Sequence, residues 1–375
     1  MNPWLNKQAA AAYHGSQEEA TRKLLKSLLE TPRDTVSSHE LEAELYFAVS
    51  AILLGSLYGY EAESPKDTIL VRAKNLISYL SYAMLPSNCM VNSLPVLRYV
   101  PEWFPGAGWK REAAKWRKEK ETLIDELYSI GLENMRKGKN GHLLVALMRS
   151  QALKLGLTEE EADDHVKHVS ITMLTGGADT TVGQLVIFFL AMVLYPEVQK
   201  KAQEELDTVV GNSRLPKIED QAQLGYIERI LQETLRWGPI GPIAAPHTCF
   251  KDDMYKGYFI PKGAIVFGNV WAMTRDETVY KNPDVFDPDR FLDPSTPIPP
   301  VFGRCPGMHF GEASLFIAIA SILMIFNIGI GQDENGKDVP PSGRFANAML
   351  LTPQPFVLKI TPRSAGHAEP IRSSC

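Results

Sequence analysis

Residues 158–195 carry the longest helical pattern in the chain, and this segment constrains the fold more than any other. Thr158 and Glu161 form a capping box, which is typical of a helix N-terminus. Pro196 then restarts a second, more polar helix. At about 1.5 Å per residue the first helix would extend roughly 55 Å, which is long enough to cross a whole domain. We therefore predict a mainly helical domain built around one central helix.

Further helices are predicted on both sides of this segment. Ser16 with Glu19, and Ser37 with Glu40, repeat the capping box ahead of apolar patterns. Gly238, followed by proline, ends a strongly patterned segment later in the chain. The predicted helical ranges are 21–30, 38 to about 60, 108–138 and 223–237. The first three-fifths of the chain is thus helical.

The remaining part of the chain is predicted to contain strands and loops as well as helices. Two β-hairpins are predicted, 254–260 with 264–267 around a Pro-Lys-Gly turn, and 349–351 with 356–360 around a Thr-Pro-Gln-Pro turn. Residues 282–300 are dense in proline and aspartate and predict an ordered loop. The predicted fold class is mainly α with a small β portion. One domain covers 1–363, and 364–375 form a disordered tail.

Composition narrows the possible functions. The net charge of -5 and the pI near 6.0 argue against a dedicated nucleic-acid binder, which would carry a basic excess. The four cysteines are far apart and form no CxxC pair, so a disulfide framework or a zinc site is not indicated. Two apolar stretches, 182–195 and 313–330, are interpreted as buried core helices rather than membrane spans because of their length and their polar interruptions.

Gly176, Gly177, Asp179 and Thr180 interrupt the middle of the longest helix. These residues are poor helix formers, so something other than helix propensity must favour them. Glycines let a ligand approach the backbone, and an acid beside a hydroxyl could relay protons. The alternative is a packing notch for a crossing helix, and the segment alone favours neither interpretation.

A second pattern consists of three charged residues. Glu233 and Arg236 face each other on a predicted helix, and Arg290 lies in the proline-rich loop. Taken singly, such residues are most often solvated surface charges. If Arg290 reaches Glu233 and Arg236, one carboxylate would tie two guanidinium groups and lock the loop to the helix.

Cys305 stands directly before a long apolar helix that begins near residue 308. The helix dipole and free backbone N–H groups favour the thiolate of a cysteine in this position. A thiolate is a soft anionic ligand for iron, and on haem iron it favours O–O cleavage. The alternative is a structural cysteine in a turn.

Four features, taken in this order, resemble those of the cytochrome P450 superfamily: the interrupted helix at 176–180, the Glu233–Arg236 pair, Arg290 in its loop, and Cys305. The resemblance runs from about residue 6 to 363. Within this superfamily, the sequence is most similar to fungal enzymes of secondary metabolism such as those that oxidise O-methylsterigmatocystin. The resemblance implies the P450 fold, haem b with O2, and electrons from NADPH through a flavoprotein reductase. It also implies a monomer acting on a small apolar molecule at the cytoplasmic side of the endoplasmic reticulum.

The resemblance also implies a role for each motif residue. Cys305 would be the axial ligand and Asp179 with Thr180 would deliver protons, while Glu233, Arg236 and Arg290 would form a structural triad. The remaining cofactor-binding expectations are Phe302 beside the sulfur, Arg304 and His247 near haem propionates, Gly176 and Gly177 opening the helix, and Gly307 in the cysteine loop.

Two departures from the family pattern affect these expectations. The family's loop reads F-x-x-G-x-R-x-C-x-G, whereas here only two residues separate Phe302 from Cys305, so four residues are missing. Residue 1 corresponds to the end of the family's third major helix, so we expect no membrane anchor and no first helices or strands. The competing hypothesis is therefore a remnant that binds haem without catalysis, or that binds haem poorly.

Overall fold

A computed structural model of the chain describes residues 4–30, 33–84, 88–138, 143–299, 305–346 and 349–372. Its α-helices are α1 (Lys7–Ala10), α2 (His14–Glu30), α3 (Ser38–Tyr58), α4 (Thr68–Met84), α5 (Gly108–Arg136), α6 (Leu144–Lys154), α7 (Glu159–Leu194), α8 (Pro196–Val209), α9 (Gly225–Trp237), α10 (Val270–Met273), α11 (Met308–Ile325) and α12 (Ala365–Arg372). Short 3-10 helices cover Ala11–Tyr13, Met90–Asn92, Pro95–Tyr99, Ile218–Gln223 and Pro288–Leu292. The mainly α fold class is confirmed.

The central helix α7 has 36 residues, and its predicted capping box between Thr158 and Glu161 is present. Its C-terminal part is buried over Val182–Val193, because apolar side chains there point in every direction around the helix. Helices α3, α6 and α11 pack against it. The prediction of one domain-crossing helix is confirmed, and the other elements are arranged around it.

Three helices in the described ranges, α3, α7 and α11, are long and apolar enough to cross a membrane by length and composition. Their most apolar windows are 61%, 72% and 78% buried inside the protein. The interpretation of 182–195 as part of a core helix therefore holds. The stretch 313–330 is helical only to Ile325, because Phe326 has extended backbone angles and begins a strand.

The strands are β1 (Arg33–Ser37), β2 (His247–Thr248), β3 (Asp253–Tyr255), β4 (Tyr258–Ile260), β5 (Ile265–Val266), β6 (Phe326–Ile330), β7 (Phe345–Ala346), β8 (Thr352–Pro353) and β9 (Val357–Pro362). The largest sheet has the order β1-β9-β6, with both pairs antiparallel. The smaller sheets are the antiparallel pairs β2-β5, β3-β4 and β7-β8. The sheet β1-β9-β6 joins the start of the chain to its end.

Both predicted hairpins are wrong in their pairing. The first turn lies inside 254–260, because Lys256 and Gly257 have positive φ of 49° and 83° and form a two-residue connection between β3 and β4. Strand β5 instead pairs with the earlier β2. In the second case residues 349–351 form no strand. Strand β8 lies in the predicted turn and pairs with β7, while β9 pairs with β1 and β6. Hydrophobic alternation therefore located the strands near 264–267 and 356–360 but not their partners.

Two predicted boundaries are also wrong. Helix α2 begins at His14, and the preceding residues are already helical, so Ser16 lies inside the helix and does not cap it.

The predicted disordered tail contains α12, whose Ala368 and Ile371 are buried where it packs against α2, α11 and β9. The Arg363 guanidinium donates to both carboxylate oxygens of Asp207, at 2.9 and 2.7 Å. Packing and this ion pair hold a segment that looks unstructured in sequence.

Gly331 marks the point where β6 leaves the sheet. A Cβ at this position would lie 2.6 Å from the backbone nitrogen of Leu358, and backbone cannot move aside as a side-chain end can. We predict that Gly331→Ala lowers the free energy of unfolding by about 1–3 kcal/mol through overpacking. Gly329→Ala, two residues earlier, is the matched control because its Cβ would meet nothing within 4 Å. Urea unfolding of both variants tests this, and equal stabilities would contradict it.

Candidate active site

The glycine pair of α7 has two different environments. Gly176 is exposed, and a Cβ added there would meet nothing within 4 Å. Gly177 faces α3 instead, where an added Cβ would lie 3.1 Å from Leu53 Cδ1. The open space that both glycines were expected to provide is therefore seen only at Gly176, whereas Gly177 allows two helices to approach closely.

Thr180 lies one helical turn after Gly176 on the same face of α7. Its Oγ1 donates to the Gly176 carbonyl oxygen at 2.7 Å, which is the back-bonding typical of a threonine inside a helix. The hydroxyl is thus directed along the helix next to the open space. A rotation about the Cα–Cβ bond would free it to donate to a bound molecule.

Asp179 lies on the side of α7 that faces α3 and α4. Burial raises the pKa of this carboxyl from 3.8 to about 6, opposed by the attraction of Lys74 and reinforced by the charge of Glu42. Lys74 itself pairs with Glu42 at 3.5 Å and stands over the ring of Tyr46. Because this pKa is close to neutral, Asp179 can take up and release a proton under physiological conditions.

Cys305 is exposed and lies three residues before α11. Its carbonyl accepts from the Met308 N–H at 3.3 Å, and the carbonyl of Gly307, at the N-cap, accepts from the Gly311 N–H at 2.8 Å. The thiol therefore stands at the positive end of an apolar helix that packs against α7. The expected neighbours Phe302 and Arg304 lie outside the described residues.

His247 is exposed on β2, where its backbone is in register with Val266 of β5. The other two described thiols, Cys89 and Cys249, are partly buried and lie elsewhere, at a 3-10 helix and beside β2. Across the described ranges no group of three or more His, Cys, Asp or Glu side chains is positioned to hold a metal ion.

The structure brings Glu233, Arg236 and Arg290 together around one carboxylate. Arg236 donates to it through Nε at 2.7 Å and through its terminal nitrogen at 2.8 Å, and Arg290 Nε lies 3.0 and 3.1 Å from the two oxygens. The Asp287 backbone N–H donates to the same carboxylate at 2.8 Å. Glu233 and Arg236 are fully buried, so this network is internal and not a surface ion pair.

Sequence reasoning missed several polar side chains near the site. Gln184 is buried in the apolar half of α7, and its Nε2 donates to the carbonyls of Thr234 and Gly238 at 2.9 and 3.1 Å. This side chain fixes α7 to the end of α9. A glutamine inside a long apolar run was the signal that could have revealed it, because a buried amide needs partners. Lys74 and Glu42 gave no such signal.

We predict that Glu233→Gln lowers the free energy of unfolding by about 3–5 kcal/mol, because two buried guanidinium groups lose their counter-charge. Glu133→Gln is the control, since Glu133 forms an exposed ion pair with Lys137 on α5. That change should leave the free energy of unfolding nearly unchanged, because the pair is exposed to solvent. Urea unfolding measures both values, and a small loss in the Glu233 variant would mean that the network contributes little.

Asp179 should make stability depend on pH. Its pKa is raised from 3.8 to about 6, so the folded state holds the proton more tightly, and stability is lost as pH rises through this window. The free energy of unfolding of Asp179→Asn should therefore equal that of the wild type at about pH 4. At about pH 7.5 it should exceed the wild-type value by up to roughly 3 kcal/mol. Asp164→Asn, at an exposed position on α7, controls for charge removal. A stability difference between the wild type and Asp179→Asn that is the same at both pH values would contradict the assignment.

Comparison with known proteins places these features in one family. The cytochrome P450 family model matches residues 5–360. Cytochrome P450 monooxygenase claR of Ampulloclitocybe clavipes is 38% identical over 98% of this chain and 68% of its own length. Cytochrome P450 monooxygenase COX1 of Coprinopsis cinerea is 34% identical over 98% of this chain and 73% of its own length.

A solved structure agrees at the level of the fold. The structure of a zebrafish cytochrome P450 with abiraterone superposes on this chain with a TM-score of 0.74 and 21% sequence identity. The superposition covers 94% of this chain and 78% of the zebrafish chain. Together with the fungal relatives, the match extends over nearly the whole described structure. The chain therefore belongs to the cytochrome P450 family of haem-thiolate monooxygenases.

Proposed function

We propose that this chain inserts one oxygen atom from O2 into a small apolar organic molecule in fungal secondary metabolism. The observation that carries the proposal is the exposed Cys305 thiol just before α11, a helix that packs against α7, whose Gly176 borders open space. The fungal monooxygenases to which the chain is similar support the class of reaction.

The described residues fit a haem on two grounds. Cys305 would hold the haem iron through its sulfur, a soft donor suited to iron. Gly176 supplies an open cradle that any side chain would begin to fill. We assign His247, and Arg304 in the cysteine loop, to the haem propionates, Phe302 to packing beside the sulfur, and Gly307 to the turn that presents Cys305. When bound, the haem supplies the redox chemistry that activates dioxygen.

The role of α7 is to hold and move protons beside that cradle. Incorporating one oxygen atom releases the other as water, so each cycle consumes two electrons and two protons. With a pKa of about 6, Asp179 carries a proton in a useful fraction of molecules near neutral pH. The Thr180 hydroxyl, one residue away, stands beside the open space and would pass the proton onward after leaving the Gly176 carbonyl.

Glu233, Arg236 and Arg290 act structurally in this proposal. They fix α9 to residues 281–290, and the chain then continues towards Cys305. Arg290 also donates to the Lys281 carbonyl at 2.6 Å, and Arg236 to that of Thr274 at 2.8 Å, so the loop is held at several points. None of the three would contact the substrate.

The electrons would come from NADPH through a flavoprotein reductase, as is usual for P450 enzymes with a redox partner. We propose that the protein works as a monomer at the cytoplasmic face of the endoplasmic reticulum, and that it binds no nucleic acid. The net charge of -5 is consistent with the last point. P450 enzymes of fungi are typically associated with membranes.

The carbon monoxide difference spectrum of the reduced protein tests the proposal. We predict the band of a thiolate-ligated haem, lost in Cys305→Ala and retained in Cys89→Ala, Cys249→Ala and Cys375→Ala. Haem content is measured on the same samples. A band that survives in Cys305→Ala would overturn the ligand assignment, and a wild type that binds haem without forming product with NADPH and reductase would favour the non-catalytic alternative.

A further inference from the structure

Gln17 is a polar side chain inside the protein that no sequence motif accounts for. It lies on α2 and is 0% exposed, and its amide nitrogen Nε2 donates to two groups of α11. The acceptors are the Phe310 carbonyl at 2.9 Å and the Ser314 hydroxyl at 2.8 Å. The Gln17 Oε1 is also buried, and no donor among the described residues reaches it. Because a buried acceptor without a partner lowers stability, the amide indicates a role other than stabilisation.

The two acceptors lie at the start of the helix that follows Cys305. Helix α11 begins at Met308, and only Pro306 and Gly307 separate it from the cysteine. The proline ring fixes its own φ at about −65°, which leaves few bonds about which this short segment can turn. The Met308 N–H also donates to the Cys305 carbonyl at 3.3 Å. The direction of the Cys305 side chain therefore follows the orientation of the first turn of α11.

The first turn of α11 is held by α2 and by the residue just before it. The Phe310 ring packs on the Tyr13 ring, with centroids 5.7 Å apart, and both side chains are buried. Gly307 and Gly311 give the turn no further support, since an added Cβ at either position would meet nothing within 4 Å. The ring contact fixes the distance between the two elements. The hydrogen bonds from Gln17 fix the direction in which the turn faces.

We infer that Gln17 is a positioning residue for the Cys305 sulfur, which rests on the proposed role of Cys305 as the axial ligand. One NH2 group reaches a carbonyl and a hydroxyl one helical turn apart, so a rotation of α11 about its axis would break both bonds. Side chains behind a metal ligand orient it in this way. Their removal typically lowers metal affinity about 10–100-fold.

The Gln17 amide can be removed without creating a new unsatisfied group on α11. Within a helix the Phe310 carbonyl accepts from the N–H four residues later, and the Ser314 hydroxyl can turn back to the same carbonyl. Methionine has nearly the length of glutamine and carries no strong donor or acceptor. Gln17→Met therefore removes the two orienting bonds and the unpaired Oε1 together. We expect its midpoint of urea unfolding to stay near the wild-type value.

Gln199 on α8 provides a matched control. It is also buried, and its amide donates to the Ile328 carbonyl at 2.8 Å and accepts from the Ile328 N–H at 2.7 Å. Ile328 follows the far end of α11, a helix of 18 residues that extends about 27 Å. Gln199→Met leaves two backbone groups without these partners, so it should lower the urea midpoint more than Gln17→Met does.

Three measurements on the wild type and both variants test the inference. In the purified protein, hydrogen exchange at the amides of residues 311–315 should become about tenfold faster in Gln17→Met and stay unchanged in Gln199→Met. The rate at which the loaded protein loses haem to excess apomyoglobin should rise about tenfold in Gln17→Met alone. The share of reduced protein that forms the thiolate band with carbon monoxide should fall about twofold or more in the same variant.

These measurements distinguish a failure of the inference from a failure of the proposed function. A wild type that forms no thiolate band would overturn the proposed function. If the wild type forms the band and Gln17→Met keeps both the band and the wild-type rate of haem loss, only the role of Gln17 is wrong. Equal changes in Gln17→Met and Gln199→Met would mean that Gln17 acts through overall stability, which also overturns the inference. Ser314→Ala removes one of the two acceptors and should give a smaller change in the same direction as Gln17→Met.

Discussion

The carboxylate of Glu233 is the point on which the second half of the structure depends. It lies fully buried at the end of α9, and a buried charge is tolerated only when it is compensated. Two guanidinium groups and the Asp287 N–H supply that compensation from two distant parts of the chain. One electrostatic requirement therefore holds residues 281–290 in place, and this anchored segment precedes Cys305 in the chain.

Asp179 presents the opposite case. Its carboxyl is also largely removed from water, and the charges of Lys74 and Glu42 act on it with opposite effects. Burial then raises its pKa to about 6, into the range where a group exchanges protons. The same residue class thus forms a rigid anchor on α9 and a titratable group on α7.

Local sequence signals predicted the helices well, because capping and apolar periodicity act within one or two turns. The capping boxes at Ser37 and Thr158 and the stop at Gly238 are examples. Strand pairing was predicted poorly. One partner of β9 is β1, more than 300 residues earlier in the chain, and β5 pairs with β2 rather than with the adjacent β4. A hairpin rule that considers only neighbouring strands cannot identify such partners.

The sequence by itself determined the family, the central helix with its Gly-Gly-Ala-Asp-Thr-Thr interruption, and the candidate thiolate at Cys305, since order and spacing carry these features. Only the tertiary structure decided that Gly176 borders open space while Gly177 packs on Leu53, that Asp179 turns towards Lys74, and that Arg290 reaches Glu233. These facts depend on which helix lies beside which. Spacing along a chain fixes the face on which a side chain stands, but burial and charge at that face are set by residues far away in sequence.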